Sequence, residues 1–164
     1  MVAEPTPGPV RVVRGYGLGD APADGSVLAW PTVVEWLVDS RNYWISSTRP
    51  DGRPHAMPVW GLWIDGTLWF STDPVSVKAR NLAAGPDVVV HLESGDDVCI
   101  IEGVARKVRA DELPASFVDD YDAKYGHRLD LSNPAFGFYV LDPAVALTWR
   151  EADFTTSATR WTFD

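Results

Sequence analysis

Two short stretches of this chain carry residue types that could do chemistry together. The first runs Phe70-Ser71-Thr72-Asp73-Pro74-Val75-Ser76-Val77-Lys78-Ala79-Arg80-Asn81-Leu82. A strand there passes into a helix whose opening turns hold Ser76, Lys78 and Arg80. Free N–H groups and the positive dipole end make a helix N-terminus an anion site. Cations favour the other end of a helix, so Lys78 this early is mildly unfavourable unless an anion such as phosphate sits there. A solvated charged face accounts for the same residues, since Lys and Arg are mostly exposed. The second stretch is Arg53-Pro54-His55-Ala56-Met57-Pro58-Val59-Trp60. Strand alternation sends Arg53, His55 and Met57 one way and Pro54, Ala56, Pro58 and Trp60 the other. Its prolines remove backbone donors, which leaves the strand free to face a planar heterocycle, or makes it an ordinary edge strand.

The other candidates are weaker. The three histidines do not cluster, and a metal site needs paired spacing or cysteine partners that are missing, so no metal is expected. His55 is the one side chain of its stretch that titrates near neutral pH, which makes it the candidate proton donor. His91 lies between Val90 and Leu92, and His127 follows Gly126 in a loop. Cys99 stands among Val98, Ile100 and Ile101 and reads as a small buried hydrophobe. Asp119-Asp120-Tyr121-Asp122 reads as a solvated helix face. Gly15, Gly17 and Gly19 suggest a phosphate loop, but Asp20-Ala21-Pro22 follows instead of a helix start.

The elements that would position these residues can be followed along the chain. Residues 1–26 are rich in proline and glycine and read as a flexible arm, with a short extended piece at Val10–Val13. Residues 27–164 read as one domain. Pro31 opens a helix that stops near Ser40, with Val33, Val34, Trp36 and Leu37 on its apolar face. Tyr43–Thr48 is a strand, and Arg49-Pro50-Asp51-Gly52 a turn. Arg53–Ile64 is a long strand that Pro54 and Pro58 confine to an edge or bulge. Asp65-Gly66 turns a hairpin into Thr67–Thr72. Pro74–Ala84 is a helix capped by Thr72 or Asp73 and stopped by Gly85-Pro86. Asp87–Glu93 and Val98–Arg109 pair as strands, and Asp111 caps a helix that Gly126 closes. Phe136–Leu141 and Ala144–Trp149 are two strands around Asp142-Pro143, and Thr159–Phe163 is a last strand. Hairpin-linked strands with few helices predict a mainly β fold, an antiparallel barrel with peripheral helices.

Composition sets the outer limits. The chain has 164 residues, enough to bury a substantial core without a metal or disulfide staple. Its net charge of −9 opposes a generic nucleic-acid binder. Membrane spans need about 18 consecutive apolar residues, and none occurs. No basic start followed by an apolar run marks a secretory signal, and the single cysteine fits a reducing cytoplasm. Eight Trp, five Tyr and six Phe predict an aromatic core or pocket, and favour a buried self-interface.

Taken in order, Asp51-Gly52-Arg53-Pro54-His55, Pro58-Val59-Trp60, Leu68-Trp69-Phe70-Ser71-Thr72 and Lys78-Ala79-Arg80-Asn81-Leu82 resemble the pyridoxamine 5′-phosphate oxidase-like split-barrel superfamily. Within it they are similar to the flavin- and deazaflavin-dependent oxidoreductase branch, as is Ala158-Thr159-Arg160-Trp161. The resemblance covers roughly residues 28 to 163. It implies a split β-barrel of the FMN-binding-protein type, forming a homodimer with two shared cofactor sites. The phosphate of an 8-hydroxy-5-deazaflavin coenzyme, or of FMN, would lie near Ser71, Thr72, Val77, Lys78 and Arg80. The ring would lie along His55, Ala56, Met57 and Pro58, with Trp149 and Trp161 closing the pocket from the partner. The implied activity is hydride transfer from the reduced cofactor to a small unsaturated organic substrate. A non-catalytic flavin, deazaflavin or haem binder is the alternative. The tail Thr155–Asp164 has Arg160 but no histidine, a departure from the vitamin oxidase pattern that counts against that activity.

Overall fold

The computed structural model describes residues 3–9 and 28–164. The described chain forms strands β1 (Thr6–Pro9), β2 (Tyr43–Thr48), β3 (Pro54–Val59), β4 (Gly61–Ile64), β5 (Thr67–Thr72), β6 (Asp87–His91), β7 (Asp97–Val108), β8 (Gly137–Arg150) and β9 (Thr159–Thr162). Helices α1 (Trp30–Asp39), α2 (Val77–Ala84), α3 (Phe117–Tyr125) and α4 (Phe154–Ser157) lie between them. All strand pairs are antiparallel. The order β1-β9-β8-β7-β6-β2-β3 is one continuous path, and β5 joins β8 with β4 outside it. Among the described residues nothing pairs β3 with β4, so the sheet curls without closing: a split barrel.

β8 makes this architecture possible. Its first half, Gly137–Leu141, pairs β5, and its second half, Val145–Thr148, pairs β9, while β7 runs along the whole of its other edge. The sequence suggests two strands here because of Asp142-Pro143. The structure has one, with a bulge that absorbs the proline. The register with β7 slips between Glu102 and Gly103, leaving Ala144 without a partner. A glycine is required opposite: a Cβ on Gly103 would fall 2.4 Å from the Asp142 carbonyl oxygen.

Two apolar clusters fill the two sides. Val33 and Leu37 of α1 meet Tyr43, Ile45, Leu68, Phe70, Ile101 and Leu141 inside the barrel. Phe117, Tyr121 and Tyr125 of α3 cover Leu62, Phe138 and Val140 on the other. The left-handed Gly126 (φ 64°) ends α3. Asp65 (φ 48°) and Gly66 (φ 80°) form the expected tight turn between β4 and β5.

Four further expectations need correction. The single strand expected over Arg53–Ile64 is two, β3 and β4, separated at Trp60. The helix expected from Asp111 is a 3-10 turn at Ala110–Glu112 followed by α3, because Pro114 breaks the run before Ser116. The helix expected from Pro74 starts at Val77, with Ser76 as its cap. The arm assigned to residues 1–26 contains a paired strand: β1 lies against β9, Thr6 opposite Thr162 and Pro7 opposite Trp161. The extended piece suggested at Val10–Val13 lies outside the described residues.

Candidate functional site

β3 occupies the far end of the sheet path, with β2 as its only partner among the described residues. Its prolines do not interrupt that pairing, and they stand in the edge strand that the sequence predicts. The register is regular from Tyr43–Val59 to Thr48–Pro54. The strand is also solvent-facing: Ala56 and Pro58 are exposed, and Met57 is 49% exposed. His55 and Met57 share the face of Ser47 and Ile45, while Pro54, Ala56 and Pro58 share the opposite face.

α2 packs on the β2 side of this edge. Asp73 organises the approach: its carboxylate accepts from Val75 N (2.9 Å) and its carbonyl from Ser76 N (3.0 Å). The Ser76 hydroxyl then caps the helix by accepting from Ala79 N (3.1 Å), and it lies 3.2 Å from the Thr72 hydroxyl. The helix therefore begins later than its sequence suggests, and Lys78 is its second residue. The buried Asn81 amide, three residues on, donates to the buried Ser47 hydroxyl (3.0 Å) and locks α2 to β2.

Lys78 is 6% exposed, and its ammonium has no acceptor among the described residues. Burial pulls its pKa from 10.5 down to about 8. Beside it His55 is half-buried, and its Nδ1 atom is buried without a hydrogen-bond partner among the described residues. Desolvation, then the charges of Arg49 and Lys78, hold the His55 pKa below its usual value. A buried amine without an anion and an unpartnered imidazole nitrogen are each costly alone. Both costs fall if an anionic, hydrogen-bonding group binds between α2 and β3.

The remaining sequence candidates separate. Val77 is the first residue of α2 and Thr72 lies at its cap. Ser71 points to the opposite face of β5, where the buried Tyr121 hydroxyl of α3 meets it. Arg80 is exposed and donates to the Val75 carbonyl (3.0 Å), closing the loop before α2. Trp161 belongs to the core. It is 3% exposed, its indole N–H donates to Thr148 Oγ1 (2.8 Å), and its ring lies 5.1 Å from that of Trp30. Its one donor is satisfied internally, which makes it a core residue within one copy of the chain. Trp149 packs on Phe154 of α4, ring centres 5.7 Å apart.

Two contributors were not read from the sequence. Arg49, in the β2–β3 turn, adds a second cation beside His55. Strand alternation places it on the face of Ser47, but the sequence reading treated it only as a turn residue. α3 supplies an aromatic wall at the end of β3: Trp60 stacks on Tyr125 (4.6 Å, 6°), and the Arg41 guanidinium sits 5.4 Å from the Trp60 ring. Nothing local in the sequence pairs Trp60 with a helix 65 residues away.

Among the described residues no group of three or more potential metal ligands occurs, and no helix is long and apolar enough to cross a membrane. No curated protein matches the chain. Solved structures do. A conserved hypothetical protein from Mycobacterium tuberculosis superposes with a TM-score of 0.65 at 25% identity, covering 80% of this chain and 90% of that one. General stress protein 26 from Bacillus anthracis superposes at 0.60 and 20% identity, over 74% and 94% of the two chains. An F420 reductase superposes at 0.55 and 21% identity, over 68% and 94%. Residues 29–150 match the pyridoxamine 5′-phosphate oxidase family from the start of α1 to the end of β8. With the split barrel and that match together, the chain belongs to the pyridoxamine 5′-phosphate oxidase family.

Proposed function

We propose that this protein is an oxidoreductase that binds a phosphate-bearing flavin or deazaflavin between α2 and β3 and reduces an unsaturated organic substrate. The observation that carries this reading is the Lys78 side chain, 6% exposed and with no acceptor among the described residues at the start of α2, beside the His55 Nδ1 that has no partner among them. Lys78 and the free N–H groups of the first turn of α2 would hold the phosphate. The open edge of β3 would support the ring, and His55 would donate a hydrogen bond or a proton near the reacting atoms. When bound, the cofactor supplies the hydride; the protein supplies anchorage, orientation and exclusion of water. Family membership and similarity to an F420 reductase support this reading.

A homodimer is part of the same proposal. β3 ends the sheet with Met57 exposed, and Val104 is 42% exposed. A second copy covering this edge would complete a water-poor site. Sedimentation equilibrium at micromolar protein is expected to give twice the chain mass, and a monomer with cofactor bound removes the shared-site part.

The deciding experiment is titration of the purified protein with FMN and with a 5-deazaflavin phosphate, followed by reoxidation of the reduced complex by quinones and enones. Binding that weakens about ten- to a hundredfold in Lys78→Ala, the range for a lost charge-assisted contact, supports the site. Binding unaffected by that substitution overturns it. Tight binding without turnover reassigns the protein as a carrier.

A further inference from the structure

The face of the barrel beside α1 carries a cavity of about 450 Å³ that shares no residue with the site between α2 and β3. Trp30, Val34 and Val38 of α1, Trp63 of β4 and Phe163 after β9 form its apolar lining. The Trp30 and Phe163 rings meet edge to face, centres 5.3 Å apart. Both tryptophans are buried, whereas Val38 is 47% exposed. Val38 and Trp63 also line a second cavity, of about 490 Å³, which continues past Leu62, Ile64 and Ala123 toward α3. The two make one elongated apolar channel, with Val38 and Trp63 at its waist.

The charges along this channel have one sign. Glu4, just before β1, and Asp65, in the β4–β5 turn, are the charged residues of the first cavity. Both are exposed, and neither has an ion-pair partner among the described residues. α1 adds the exposed Glu35 and Asp39 and contains no basic residue. Asp120 and Lys124 line the second cavity. The Lys124 ammonium is turned inward, donating to the Val38 carbonyl (2.9 Å) and the Tyr43 hydroxyl (3.0 Å). It pairs with no carboxylate among the described residues. Cavities of this size take small molecules, with the apolar lining holding the body and a few polar groups fixing the orientation. An anionic head here meets carboxylates without a compensating base. A cationic head meets two unpaired carboxylates next to aromatic rings, whose faces also attract cations.

We infer that this channel binds a cationic amphiphile, with its ammonium head at the Glu4 and Asp65 end and its alkyl tail running past Val38 and Trp63 toward Ile64. The inference does not depend on the cofactor site proposed above.

The probe is decyltrimethylammonium, titrated calorimetrically into the full chain below its micelle concentration and at fixed ionic strength. Decanoate is the comparison, with a similar tail and the opposite charge. A net charge of −9 attracts any cation loosely, so two variants of the channel decide the matter. Glu4→Gln combined with Asp65→Asn removes the charges at the head end, and asparagine tolerates the positive φ of position 65 (48°). Val38→Arg puts bulk and a cation at the waist; the site is exposed and lies in the last turn of α1, where a base suits the helix end. Circular dichroism checks that both variants keep the fold. The wild-type chain is expected to bind the ammonium probe at one saturable site, at least about tenfold more tightly than decanoate. The double variant is expected to weaken that binding about tenfold, the range for two exposed ion pairs, and Val38→Arg to abolish it. No saturable binding by the wild type, equal affinity for decanoate, or an affinity unchanged in either variant overturns the inference.

Discussion

Replacing Lys78 with methionine should make the ligand-free protein more stable and a poorer anion binder. Methionine fills nearly the same volume without a charge. The lysine it replaces is 6% exposed, lacks an acceptor among the described residues, and has its pKa lowered by burial from 10.5 to about 8. Each pH unit of displacement is worth about 1.4 kcal/mol, so keeping this amine charged costs the fold about 3 kcal/mol at neutral pH. Because the folded pKa lies below the unfolded one, the native protein binds fewer protons than the unfolded chain between about pH 8 and 10.5. Stability from Lys78 therefore rises with pH across that window, and the full penalty is present below it.

Lys124 titrates in the same direction, also with a pKa of about 8, so the wild-type curve contains both lysines. Burial raises the Tyr43 pKa and pushes Tyr125 up to about 12; these phenols lower stability above about pH 10, where the unfolded tyrosines ionise first. The difference between wild type and Lys78→Met, taken from pH 7 to 10, removes these contributions. Urea unfolding should show the variant about 3 kcal/mol more stable at pH 7, or roughly 6–12 °C in Tm. The gap should narrow toward pH 10. With saturating FMN or deazaflavin phosphate the order should reverse, because only the wild type gains the full binding free energy. A variant less stable than wild type at pH 7, or a gap that does not change with pH, would refute the picture of an uncompensated buried cation.

Other substitutions test the frame around the site. Gly103→Ala should cost about 3 kcal/mol or more in denaturant unfolding, because its Cβ would meet the backbone of Asp142 and Pro143, which cannot move aside like a side chain; a loss below 1 kcal/mol would mean the bulge relaxes. Trp161→Phe should lose about 1–3 kcal/mol through the Thr148 hydrogen bond and the Trp30 contact, with cofactor affinity unchanged; a change in affinity would return Trp161 to the site. His55→Gln should lower single-turnover hydride transfer about 10²-fold or more with a smaller loss of affinity, and unchanged transfer would leave solvent as the proton source.

Local signals were legible where one short interaction decides the structure. Tyr43–Thr48 and Thr67–Thr72 agree with their predicted ends because a Pro-Gly turn and an Asp-Gly turn bound them. The place of Lys78 in the opening turns of a helix was legible from the strand-to-helix pattern of Phe70–Leu82. The edge position of β3 was legible from two prolines, but their consequence was not. Whether Pro54 and Pro58 face β2 or the open edge depends on the phase of the ladder, which a hydrogen bond from Arg49 to Arg53 sets. One residue of slip would have put both prolines against β2 and broken the pairing. The burial of Trp161 was not legible for a related reason. An aromatic in a terminal strand suits a core or a pocket equally well, and the choice lies in Thr148 and Trp30, which are distant in the sequence. The start of α2 moved because Asp73 spends its carboxylate on Val75, which leaves Ser76 to cap the helix and carries Lys78 into its first turn. That shift brings the amine closer to the free N–H groups than the sequence alone implied, and so strengthens the case for an anion there.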